Sequence, residues 1–200
     1  MYSPSINNLI SQFKKLPSVG QRTAERFVFA LLKSGKKDVN EIREALNELL
    51  TNTKSCEVCW NFDDVSPCHI CRDIKRDAST VCVISDPQDI PVIEKTGEYR
   101  GTYHVLRGLF EMGDEVSSLK KIKIRELLAR LKMKKIKEVI LALNPDMPGE
   151  TTMLFLEREI KKYFAGIKIT RLARGLPMGS DLQYADEITL GSAFKNRISR

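Results

Sequence analysis

The chain has 200 residues, 42% of them hydrophobic, which is enough to bury a core in one large domain or two small ones. Thirty-three Lys and Arg against 26 Asp and Glu leave a formal charge of +7, a balance that favours polyanionic partners such as nucleic acid. No apolar run approaches the roughly 18 residues of a membrane span, and the opening MYSPSINNLISQFKK lacks the unbroken apolar core of a signal peptide, so no membrane partner and a cytoplasmic address are expected.

Ile6, Leu9, Ile10 and Phe13, then Ala24, Phe27, Val28 and Leu31, recur at helical spacing on either side of LPSVG, a turn containing Pro17 and Gly20. Two helices joined by a tight Gly-containing hairpin form a helix-hairpin-helix, which aims backbone N–H groups at a phosphate. Arg22 and Arg26, four apart on the second helix, are the candidate DNA contacts. A plain helical hairpin with solvated arginines is the other reading of this segment. A third helix, KKDVNEIREALNELLTNT, would present Val39, Ile42, Leu46 and Leu49 on one face and complete a small helical domain.

CEVCWNFDDVSPCHIC follows, with two Cys-x-x-Cys pairs separated by eight residues. In a reducing cytoplasm such pairs read as metal ligands before a disulfide or a redox centre. Cys56, Cys59, Cys68 and Cys71 supply the four sulfurs of a tetrahedral zinc site with no position open for water, so the metal is structural. His69 is the rival ligand but is expected to be an exposed turn residue, because four thiolates already complete the shell.

From residue 80 the runs TVCVIS, TYHVLR, EVILAL and IKITRL read as strands, interleaved with the helical stretches PVIEK, IRELLARLK and TTMLFLEREIKKYF. That alternation implies an α/β unit with a largely parallel sheet, whose functional groups gather beyond the carboxyl ends of the strands. Cys82, within the first strand, reads as a small buried hydrophobe. The loops SDPQDIP and NPDMPGET carry Asp86, Asp89, Asp146 and Glu150. These acids could hold Mg²⁺ for phosphoryl transfer, or merely open helices. The segment LKKIKIRELLARLKMKKIK, 119–137, has nine basic residues and one acid around a stripe of Ile124, Leu127, Leu128 and Leu131. Its basic face could track a phosphate backbone or simply be solvated. No G-x-x-x-x-G-K-[ST] occurs, so nothing points to nucleotide hydrolysis.

The order of parts is specific: LPSVGQRTAERFVF, four cysteines, VCVISDPQDI, YHVLRG, NPDMPGET, and TRLARGLPMGSDLQYADEITLGSAFKNR. Over essentially the whole chain it resembles the RecR family of bacterial recombination mediators. The resemblance implies a helix-hairpin-helix in 1–53, a four-cysteine zinc finger in 54–78, a Toprim domain in 79–172 and a C-terminal Walker B-like, oligomerising segment in 173–200. It implies a homotetrameric ring able to encircle duplex or gapped DNA without sequence preference. It also implies a non-catalytic role with RecO, and in many bacteria RecF, in loading RecA at single-stranded gaps.

Carried over by position, the hairpin basics are Arg22 and Arg26 and the zinc ligands Cys56, Cys59, Cys68 and Cys71, one ion per chain. Ser85 stands where the family carries Glu, with Asp86 one place later, and Pro148, Gly149 and Glu150 stand where it carries Glu-Gly-Glu. Asp89 and Glu150 are left as the candidates for partner contact. Ser18 takes the place of the hairpin's first Gly, which is tolerated if no positive φ is required there, and LFEMGDEVSSL is shorter than the family's Pro- and Gly-containing loop. The alternative function is a Toprim enzyme, nuclease or primase-like, using Mg²⁺ at Asp86, Asp89, Asp146 and Glu150.

Overall fold

The computed structural model describes residues 2–110, 119–133 and 135–197. The chain divides into two units between Thr53 and Lys54.

The first unit is three helices: α1 (Pro4–Phe13), α2 (Gln21–Ser34) and α3 (Lys36–Asn52). Ser3 caps α1, its Oγ accepting from the Ile6 N–H at 3.4 Å, and Pro4 sits in the first turn, where its missing N–H costs nothing. Ile10 packs against Ala24 and Val28, with Ile6, Phe13 and Val19 around them, and the Phe13 and Phe27 rings meet edge to face at 5.7 Å. The intervening turn corrects one expectation: Ser18 has φ 61°, so the hairpin does require a left-handed residue at this position, and a serine occupies it. The third helix forms as expected within the first unit, although α3 buries none of its residues. Val39, Ile42, Leu46 and Leu49 form the predicted stripe but lie 38 to 59% exposed, because the small α1–α2 core is already closed without them.

The second unit opens with a two-stranded antiparallel ribbon, β1 (Lys54–Ser55) and β2 (Phe62–Asp63), followed by a single helical turn, α4 (His69–Arg72). The sheet comprises β3 (Asp77–Ile84), β4 (Gly101–Val105), β5 (Glu138–Leu141) and β6 (Lys168–Arg171), all parallel, in the order β4-β3-β5-β6. The crossovers carry α5 (Asp89–Glu94), α6 (Ile124–Met133) and α7 (Met147–Tyr163), and α8 (Glu187–Lys195) closes the described chain.

Alternation along β3 divides the interior. Val81 and Val83 face Leu127, Leu131, Leu156 and Ile160 of α6 and α7, whereas Cys82 and Ile84 face Ile90, Tyr103, Val105 and the cysteine module. The Cys82 thiol, pushed up to about 12 by burial, stays protonated and behaves as the expected small hydrophobe.

Helix α7 begins at Met147, earlier than the apolar periodicity suggests. Asp146 caps it, accepting from the Gly149 N–H at 2.8 Å, and Pro148 enters the first turn. A Cβ at residue 149 would stand 2.0 Å from the Asn144 carbonyl oxygen, so only glycine fits this return of the loop. On α6 the buried positions are Ile124, Leu127, Arg130 and Leu131, with Leu128 only partly covered. Arg130 therefore leaves the basic outer face to which the sequence assigns it. The shortened loop LFEMGDEVSSL falls largely on 111–118, outside the described residues.

Candidate zinc centre and DNA-facing hairpin

The knuckle that carries the first cysteine pair is closed by the Cys56 N–H donating to the Asn61 carbonyl at 2.8 Å and the Trp60 N–H donating to the Cys56 carbonyl at 2.9 Å. Trp60 takes φ 65° at its apex. Cys68 leads into α4, which brings Cys71 round one helical turn later. All four sulfurs lie within 4.8 Å of one another. A tetrahedral ZnS₄ centre has sulfur edges of about 3.8 Å, and Cys59 and Cys68 stand 3.5 Å apart. The Cys68 N–H also donates to the Cys56 sulfur at 3.3 Å, an orientation that stabilises a thiolate.

Charge argues the same way. The Cys68 thiol is driven far below its usual range by hydrogen bonds from Cys59 and Cys71, while Cys59 is driven far above it by holding a proton toward Cys68, and by burial. A divalent cation resolves that conflict by taking all four as thiolates. His69 is no ligand: its Nδ1 lies 2.6 Å from Asp63 Oδ2 and its side chain is largely exposed.

The module is fastened to the sheet at an edge strand. The outward Val105 N–H of β4 donates to the Cys59 carbonyl at 2.8 Å. Arg107, itself at φ 60°, donates from Nε to the Trp60 carbonyl at 2.8 Å and from Nη2 to Ser55 Oγ at 3.0 Å. Its guanidinium lies 3.9 Å from the centre of the Phe62 ring, and Lys123 Nζ lies 4.1 Å from that of Trp60.

At the hairpin, Gly20 precedes α2 and offers no side-chain cap, so the first-turn N–H groups of Gln21, Arg22 and Thr23 lack a side-chain acceptor. Arg22 and Arg26 are exposed one turn apart beside them and form no ion pair among the described residues.

The acids of the parallel sheet do not converge. Asp86 accepts from the Gln88 N–H at 2.9 Å, Asp89 from the Asp86 N–H at 3.2 Å, and Asp146 caps α7. Glu150 is paired with Arg171 at 2.9 Å and also with Arg174. Among the described residues, the cysteines alone form a group of three or more His, Cys, Asp or Glu side chains placed to share an ion. A cavity of about 660 Å³ does open beyond the carboxyl ends of β5 and β6, with Asp89, Asn144, Arg171, Arg174 and Asp186 on its wall.

The RecR helix-hairpin-helix family matches residues 6–50, the RecR four-cysteine zinc finger domain 53–73, the Toprim domain 79–173 and the RecR C-terminal family 175–198. The chain is 45% identical to the Recombination protein RecR of Moorella thermoacetica, with 98% of each chain covered. It is 44% identical to that of Streptomyces coelicolor, again over 98% of each. With that of Rubrobacter xylanophilus it shares 42% identity over 98% of this chain and 97% of the other.

This chain belongs to the RecR family. Its cysteine cluster is accordingly the RecR zinc finger, fitted for one structural zinc ion, and its parallel sheet is the Toprim domain. The RecR hairpin supports DNA binding. No described helix is long and apolar enough to cross a membrane.

Several residues escaped the sequence reading. Arg171 and Arg174 hold Glu150, Arg107 binds the zinc knuckle, and Arg130 is buried. Only Arg130 left a signal, lying three residues after Leu127 on the apolar stripe; the others depend on contacts between segments distant in sequence.

Proposed function

We propose that this RecR-family chain is a non-catalytic DNA-binding recombination mediator, a ring-like homotetrameric clamp that acts with RecO, and with RecF where present, to help load RecA at single-stranded gaps in DNA repair. The observation that carries this reading is the uncapped N-terminus of α2 with exposed Arg22 and Arg26 beside it, a phosphate-sized set of donors with no side-chain acceptor among the described residues. The open apolar stripe of α3 supports assembly of several copies. Dispersal of the Toprim acids into caps and ion pairs supports placement of DNA rather than its cleavage.

The partner contacts are proposed at Asp89 and Glu150. Asp89 is the more available, since Glu150 already holds two arginines.

Binding to gapped DNA, titrated over a range of salt, tests the reading. Affinity falls steeply with salt, and Arg22→Ala weakens it and makes the dependence shallower by roughly one phosphate contact. A flat response would indicate a scaffold with no DNA grip of its own. Metal-dependent cutting that Glu150→Gln abolishes would indicate the Toprim enzyme.

A further inference from the structure

Arg130 is an anomaly in charge. It projects from α6 to the β4 edge and is 6% exposed. Its Nη1 donates to the Tyr103 carbonyl at 2.5 Å and its Nη2 to Thr102 Oγ1 at 2.7 Å, while its Nε has no partner among the described residues. Both acceptors are neutral, and Arg130 forms no ion pair among the described residues. A guanidinium cannot shed its proton at physiological pH, so a buried one needs an anion nearby.

Carboxylates do not supply it. Arg130 shares a cleft of about 280 Å³ with Cys71, Val58 and Asp73. Asp73, the carboxylate on that wall, is half-exposed and turned to Arg76 at 3.9 Å and to the Lys75 N–H. Arg76 in turn is taken by Glu94. What shares the cleft with Arg130 instead is Cys71 of the four-cysteine cluster, while the remaining guanidinium on its wall, Arg72, donates to the Pro67 carbonyl. Burial lowers the affinity of the Arg130 guanidinium for the proton, the cost that a nearby anion would offset. Zinc with four thiolates is a dianion, two positive charges against four negative.

We infer that Arg130 is the buried counter-ion of the zinc–thiolate centre, so that zinc occupancy and the docking of α6 on the β4 edge form one linked equilibrium. Zinc supplies the folded cluster of thiolates that makes the buried cation tolerable, and the cation reciprocally strengthens the hold of the centre on its metal. This inference concerns the chain's own architecture and is independent of whether it clamps DNA.

The test uses the zinc-loaded full chain as wild type, Arg130→Lys and Arg130→Met, and measures zinc transfer to a chromogenic chelator. Arg130→Met is expected to bind zinc 10- to 100-fold more weakly, in the range of other groups that support metal ligands from behind. Arg130→Lys keeps the charge while losing the planar fork, and stays within about threefold of wild type.

An arginine that merely fills space gives the reverse pattern: Met, apolar and of similar length, holds zinc like wild type while Lys suffers most. That outcome would overturn the assignment. If Arg130→Met does not fold, the wild type decides by itself. Chelating its zinc accelerates amide hydrogen exchange across 124–133 as well as around the cysteines. Exchange that changes around the cysteines but not in α6 would sink the linkage.

Discussion

At Ser18 the chain accepts a backbone conformation that suits glycine, with φ 61°. Removing the Cβ relieves a clash worth about 1–2 kcal/mol in the left-handed region, offset by roughly 0.5–1 kcal/mol of extra chain entropy. Ser18→Gly is thus expected to stabilise the hairpin by up to about 1 kcal/mol, read as a small rise in melting temperature. Glu94 offers a pH-dependent case. Arg76 beside it, and the Tyr103 hydroxyl donating at 2.5 Å, hold its carboxyl below the usual 4.5. A depressed carboxylate contributes stability above its unfolded pKa and loses that contribution as pH falls through the folded value. Wild type should exceed Glu94→Gln by on the order of 1 kcal/mol at neutral pH, discounted for partial exposure, with the gap closing in acid below 4.5. Equal melting curves at pH 7 would remove this pair from the account.

Among the elements, the zinc knuckle is the one whose loss propagates furthest, because Cys59 bonds to β4 through its carbonyl while its sulfur serves the metal. Cys68→Ala leaves three thiolates, so zinc content should fall toward zero and the melting temperature by roughly 10 °C. Retained zinc with unchanged melting would contradict that. The same elements show what the sequence could disclose. The four strands and the Cys-x-x-Cys pairs were legible because β-branched runs and thiol spacing are local signals, and the parallel sheet followed from alternation with helices. The early start of α7 was hidden, since Asp146, Pro148 and Gly149 look like a loop until the Asp146 cap and the Asn144 contact are seen together. The fate of Glu150 was hidden too: its two arginines come from the end of β6 and just beyond it, more than twenty residues away. The α3 stripe was visible as a pattern, but periodicity reports an apolar face without saying which surface covers it.

For the whole molecule, that uncovered face makes self-association the testable quantity. Leu46, 55% exposed at the middle of the stripe, is a residue a monomer would not miss. Leu46→Asp should leave zinc content and helicity intact while shifting the solution mass from that of the proposed tetramer to smaller species, measured by light scattering. An unaltered mass would place the interface elsewhere. A last consequence follows from β4, which is an edge strand although every one of its residues is buried. Two of its outward groups are occupied, the Val105 N–H by the Cys59 carbonyl and the Tyr103 carbonyl by the Arg130 guanidinium, so the finger and α6 together oppose strand addition by other chains. Stripped of its ion, the protein would lose its hold on the Val105 N–H at this edge and should aggregate more readily, which turbidity after chelation would show.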